Sequence, residues 1–159
     1  MIDHRAAAQR ATRLLDVNSM TGGKPVLLVG NEDDRRATLQ ALEAITGSES
    51  VNLNLELAQA LIDAAGSRLD PATAIVDINP IATPLLLDRI QILTLPQLRI
   101  NVLDVLIRVA RRRSLCVSWP GRVDNGRLRY ANHNHPEYLD EDASRALVLD
   151  LSINEGTNR

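Results

Sequence analysis

The sequence predicts a three-layer α/β domain with a mainly parallel sheet and a C-terminal hairpin. Three observations carry that expectation. Short continuous apolar runs at residues 25–29, 85–87 and 115–119 suit strands buried on both faces. Segments of helical period separate them, and alternating strands and helices build layered parallel sheets. An Asp124-Asn125-Gly126-Arg127 stretch between Val123 and Leu128 is the short-range signal for a two-residue hairpin turn.

The elements follow in order. Ala7, Ala11, Leu14 and Leu15 share one face of a helix expected over residues 3–17, ended by Thr21-Gly22-Gly23. Pro25 to Val29 is the first strand, closed by Gly30. Ala37, Leu39, Leu42 and Ile45 recur at helical spacing between Arg35 and Thr46, with Gly47 placed as a C-cap. Val51 to Leu55 alternates apolar and polar residues and reads as a second strand, leading into a helix over 56–65 before Gly66. Residues 71–79 have a weak helical preference. Leu85-Leu86-Leu87 is a third strand ending in Asp88. Pro96 then opens an amphipathic helix, apolar at Leu98, Val102, Val105, Leu106, Val109 and Ala110 and polar at Asn101, Asp104, Arg108 and Arg111. Leu115 to Trp119 is the fourth strand, and an acidic stretch at 137–142 precedes a last apolar run at 146–151. The organisation is thus one domain over 1–159: a helix at 3–17, a core at about 24–120, and a hairpin and tail at 121–159.

Composition agrees with a single core. The 159 residues are 45% hydrophobic and 24% charged, with a formal net charge of −2. This argues against disorder and against a uniformly basic nucleic-acid binder. Cys116 is the only cysteine, so neither an internal disulfide nor a multi-cysteine zinc site is expected. The first twenty residues carry Asp3, Arg5, Arg10, Arg13 and Asp16, which does not fit a signal peptide, and no apolar run is long enough for a membrane span. A cytoplasmic location without membrane contact is the expectation. Trp119, Tyr130 and Tyr138 are the only aromatics, too few for a base-stacking platform.

In an open parallel sheet, ligands bind beyond the carboxyl ends of the strands. The segment after the first strand runs Gly30-Asn31-Glu32-Asp33-Asp34-Arg35-Arg36-Ala37-Thr38. A phosphate-binding loop needs Gly, four residues, Gly, Lys and then Ser or Thr, because backbone N–H groups and the lysine hold the phosphates while the hydroxyl holds Mg²⁺. Gly30 fits, but Arg35, Arg36 and Ala37 occupy the last three places. Moving the frame by one places Thr38 correctly and loses Gly30. Three carboxylates in the same segment oppose a polyphosphate, since like charges about 4 Å apart cost roughly 1 kcal/mol in water and about 4 at an effective dielectric of 20. Leu85-Leu86-Leu87-Asp88 has the form of a strand whose terminal aspartate supports Mg²⁺, while Arg89 stands where hydrolysing enzymes of this architecture often carry a glutamate.

Several segments then align in order and at compatible spacing over about residues 25–140. They are Val51-Asn52-Leu53-Asn54-Leu55-Glu56-Leu57, Leu86-Leu87-Asp88-Arg89-Ile90-Gln91-Ile92-Leu93, Trp119-Pro120-Gly121, Tyr130-Ala131 and His135-Pro136-Glu137-Tyr138. Together with the strand, loop and helix at the start, they resemble the BrxF family, the small P-loop proteins of type III bacteriophage exclusion (BREX) systems. The resemblance implies a P-loop NTPase fold and membership of a multi-gene antiviral system with a DNA methyltransferase, a large ATPase, a helicase and an alkaline-phosphatase-like protein. Carried over residue by residue, the family's nucleotide site falls on Gly30, Arg35, Arg36, Thr38 and Asp88, with Asp88 toward Mg²⁺. The departures at Arg35-Arg36-Ala37 make the expected protein an accessory subunit with a degenerate site, not an enzyme, and without a cofactor. The alternatives are an ATPase using ATP and Mg²⁺ with Arg36 as the phosphate contact, and a DNA-binding factor.

Charge asymmetry feeds the DNA alternative and the partner reading alike. Between Pro96 and His135 eight arginines face two aspartates. Arg111, Arg112, Arg113, Arg122, Arg127 and Arg129 are the candidates for a nucleic-acid or partner surface, and a neighbouring copy in a homo-oligomer is a further candidate partner. For Arg111 to Arg113 the competing reading is a helix C-terminus favoured by its dipole. His133, His135 and Glu137 alternate as metal ligands on a strand would, but Pro136 favours a loop with a role in fold closure or partner contact. Cys116, inside an apolar strand, reads as an inert core thiol.

Overall fold

The computed structural model describes residues 2–21, 23–64, 68–131, 134–136 and 138–152. Five parallel strands form the central sheet: β1 (Val26–Val29), β2 (Ser50–Asn52), β3 (Leu85–Asp88), β4 (Leu115–Trp119) and β8 (Leu147–Asp150), in the spatial order β2-β3-β4-β1-β8. A second sheet, antiparallel, holds β5 (Arg122–Asp124), β6 (Arg127–Tyr130) and β7 (Leu139–Asp142). The expected mainly parallel α/β fold and the hairpin are both present.

Two apolar layers sandwich the sheet, and the strands divide their side chains between them by simple alternation. Val26 and Leu28 face α1 (His4–Thr21) and α2 (Glu32–Thr46), where Ala7, Ala8, Ala11, Leu15, Leu39 and Leu42 are buried. Leu27 and Val29 face the opposite layer, made by α3 (Leu53–Ala64), α4 (Pro71–Val76), α5 (Val102–Ala110) and the inner side of the small sheet. All four residues of β1 and all five of β4 are buried, which explains their unbroken apolar sequence.

Helix ends follow from capping chemistry. Asn31 caps α2 by accepting the Asp34 N–H at 2.7 Å, and Gly47 closes it with φ 77° and an N–H bond to the Glu43 carbonyl. The helix therefore starts at Glu32, three residues before the expected Arg35, because three first-turn carboxylates are at home beside the N-terminal dipole. Asn101 caps α5 in the same way, accepting the Asp104 N–H at 2.8 Å. The helix expected from Pro96 is instead a 3₁₀ turn at Pro96–Leu98, a left-handed Arg99 at φ 52°, and then α5. At Val51–Leu55 the expected strand stops at Asn52, whose side chain accepts the Leu55 N–H at 3.2 Å as a helix begins. Leu53 and Leu57 are buried one turn apart while Leu55 is 67% exposed, so the apparent period of two was the start of a helical period.

The tail contributes more than expected. Residues 146–151, read as an apolar run outside the core, supply β8, which pairs with β1 along its whole length. Leu151 then donates its N–H to the Val29 carbonyl, and a Cβ on Gly30 would lie only 2.9 Å from the Leu151 Cβ. Gly30 thus admits the C-terminal segment past the end of β1. In the small sheet, Asn125 and Gly126 take φ 51° and 76°, as the expected type I′ turn requires. The helix ends expected at Gly22 and Gly66, and the expected alternation of His133 and Glu137, fall outside the described residues.

Candidate functional site

The chain leaves β1 toward α2 on one face of the sheet and leaves β3 and β4 toward elements on the other face. A crevice opens where the connections diverge, beyond the carboxyl ends of these strands. It is lined by Glu32, Arg35 and Arg36 after β1, by Asp88, Arg89 and Gln91 after β3, and by Ser118 of β4. Of the five nucleotide-site candidates, Arg35, Arg36 and Asp88 line it and Gly30 and Thr38 do not. The pocket is polar and small, about 40 Å³.

Arg35 fills its inner end. One turn into α2, its side chain folds back to donate from Nε to the Gly30 carbonyl at 3.0 Å and from Nη1 to Ser118 Oγ at 2.8 Å. Burial pushes the guanidinium's pKa down, the Asp88 and Glu32 carboxylates pull it back up, and Arg89 and Arg36 add to the lowering. Ser118 is 2% exposed, so its hydroxyl needs this partner.

At the mouth, Glu32 Oε2 accepts from Arg36 Nη2 at 2.7 Å and lies 3.5 Å from Arg89 Nη2. Arg89 is held in a left-handed conformation, φ 56°, with its N–H on Asp88 Oδ1 at 2.9 Å and its carbonyl accepting the Asn54 N–H. Asn54 also accepts the Ile92 N–H at 2.8 Å, tying the first turn of α3 to the segment that carries Arg89 and Gln91. Sequence reading missed Asn54 as a positioning residue.

These residues do not fit ATP and Mg²⁺. Only Gly30 and Asn31 separate β1 from α2, so the wide loop whose amides would surround a polyphosphate is absent. The Asp34 and Arg35 N–H groups are engaged by Asn31, and Glu32, Asp33 and Asp34 occupy the first turn. Arg36 is paired with Glu32, and Thr38 is fully buried in α2, outside the pocket lining, its hydroxyl without a hydrogen-bond partner among the described residues.

The six basic candidates do not form one surface. Arg111 and Arg112 are exposed at the C-terminal end of α5, at the opposite end of the sheet from Ser118. Arg113 turns inward and donates to the carbonyls of Val76, Ile78, Asn79 and Ala82 at 2.5–3.0 Å, with burial lowering its pKa. Arg122 bonds the Ala131 carbonyl at 3.2 Å. Arg127 bonds Asp140 at 2.8 Å, and Arg129 lies 3.6 Å from Asp124 and 3.7 Å from Asp140. Arg127's hydrogen bond holds the Asp140 carboxyl below the usual range. Much of the local positive charge is thus answered within the fold. Cys116 is fully buried, and burial pushes its thiol up to about 12.

Fold and site together define a parallel α/β domain with a polar pocket at the switch point of its sheet. No family model, curated protein or solved structure matches the chain. No helix among the described residues is long and apolar enough to cross a membrane.

Proposed function

We propose that the protein is a P-loop-type accessory subunit of a BREX phage-exclusion system, acting by assembly with partner proteins or DNA and not by ATP turnover. The observation that supports this reading is Arg35, which spans the Gly30 carbonyl and Ser118 and fills the inner end of the crevice from within. Assembly with other subunits is further supported by Leu55 and Ile62, two turns apart on α3 and 67% and 70% exposed. The DNA arm draws support from Arg111 and Arg112, which carry no ion pair among the described residues.

The test is functional replacement in a complete exclusion system. Asp88→Asn is expected to restrict phage as the unaltered chain does, whereas removal of the chain abolishes restriction. Loss of restriction by a folded, assembled Asp88→Asn protein would overturn the reading in favour of an ATPase.

A further inference from the structure

We propose that the mouth of the crevice is a binding site for a single phosphoryl dianion, and that Glu32 occupies it from within until such an anion displaces it. Two guanidiniums, Arg36 and Arg89, converge on one oxygen of Glu32, at 2.7 and 3.5 Å. Glu32 is the more exposed partner, at 56% against 46% and 44%, so it is the one with solvent to turn into. The backbone that carries Arg89 is better fixed. Arg89 keeps a left-handed backbone that an ordinary side chain adopts only at a cost, and hydrogen bonds from Asn54 and to Asp88 hold it there. Asn54 grips the following turn as well, so Arg89 is presented by a braced segment.

Charge and size select the ligand class. With Glu32 swung out, Arg35, Arg36 and Arg89 face only Asp88 among the charged residues lining the pocket, a net charge of two positive units. A phosphomonoester or inorganic phosphate, at roughly −1.5 to −2, matches that better than a carboxylate does. With Glu32 in place the crevice has about 40 Å³, room for about three waters, which suits a small oxyanion. Arginine pairs suit bidentate contact to such oxygens. The inference rests on the reading that the crevice holds no nucleotide, and it adds a regulated ligand for the same residues.

The experiment titrates the full chain with inorganic phosphate, O-phosphoserine and ATP·Mg²⁺ at constant ionic strength against chloride, reading thermal stability and heat of binding. Glu32→Gln is expected to bind phosphate at least about tenfold more tightly than the unaltered chain, equivalent to about 1.4 kcal/mol. Arg89→Gln, checked to be folded by its melting curve, is expected to lose binding. Phosphoserine binding as well as phosphate assigns the site to a phosphorylated partner group, whereas binding of phosphate alone assigns it to the free anion. Phosphate binding that is absent, or unaltered by Glu32→Gln, overturns the inference and leaves the accessory-subunit reading intact if ATP is also silent. Micromolar ATP binding with no effect of Glu32→Gln overturns both.

Discussion

Arg35 and Ser118 meet at 2.8 Å across the carboxyl ends of β1 and β4, eighty-three residues apart in sequence. This bond joins the helix that follows the first strand to the buried end of the fourth. It makes Arg35 part of the fold. Arg35→Met is expected to destabilise the protein by about 1–3 kcal/mol, because the Gly30 carbonyl and the Ser118 hydroxyl both lose a charged donor. Urea unfolding of Arg35→Met, Ser118→Ala and the double variant checks it. The double variant is expected to cost clearly less than the sum.

Gly121 is a second fixed point. A Cβ there would sit 1.7 Å from the Arg129 carbonyl oxygen and 2.9 Å from the Trp119 indole nitrogen. Gly121→Ala is therefore expected to cost at least about 3 kcal/mol or to abolish folding. Gly47→Ala, where φ is 77° and nothing lies within 4 Å, is expected to cost only about 1 kcal/mol. Melting curves of the two variants decide the comparison.

Acid stability follows from the arginine-bound carboxylates. Asp140 is held low by the hydrogen bond from Arg127, and Asp70 by that from Arg108. A carboxylate with a lowered folded pKa contributes stability above its unfolded value, near 3.9, and loses it as pH falls through the folded value. Stability is expected to decline below about pH 4. Asp140→Asn, followed by urea unfolding between pH 2.5 and 6, is expected to flatten part of that decline and leave the slope above pH 5 unchanged.

Cys116 is predicted to be silent toward thiol reagents in the native protein. It is fully buried in β4, and burial has pushed its thiol up to about 12, so almost no thiolate exists at neutral pH. Labelling is expected to track the rate or extent of unfolding in urea. Rapid labelling of the native chain would show that the central strand opens.

Much of the architecture was legible because burial imposes a plain pattern on the inner strands. Leu85-Leu86-Leu87 and Leu115 to Trp119 read directly as strands, and Asn125-Gly126 as a turn that needs two positive φ angles. Gly47 likewise announced its helix end. The edges were harder. β2 is three residues long, and the Leu-Asn-Leu that follows has the same local look in a strand as in the first turn of α3. β8 was missed because its pairing with β1 lies more than a hundred residues away in sequence, where no local signal reaches. At the site, Arg35, Arg36 and Asp88 line one crevice, while Gly30 only accepts a bond from Arg35 and Thr38 lies buried outside it. What sequence did not convey was direction. The folding back of Arg35 onto Ser118, the sharing of Glu32 between Arg36 and Arg89, and the bracing by Asn54 depend on where α2 starts and on the turn at Arg89.

Arg35 fills the inner end of the crevice, and on the proposed reading no nucleotide enters it. Isothermal titration with ATP and Mg²⁺ tests that reading most directly, on the native chain and on a variant carrying Gly, Lys and Thr at positions 35, 36 and 37. Neither is expected to give binding heat, because three substitutions inside a helix do not lengthen the two-residue connection between β1 and α2. Micromolar binding by the native chain would contradict that reading.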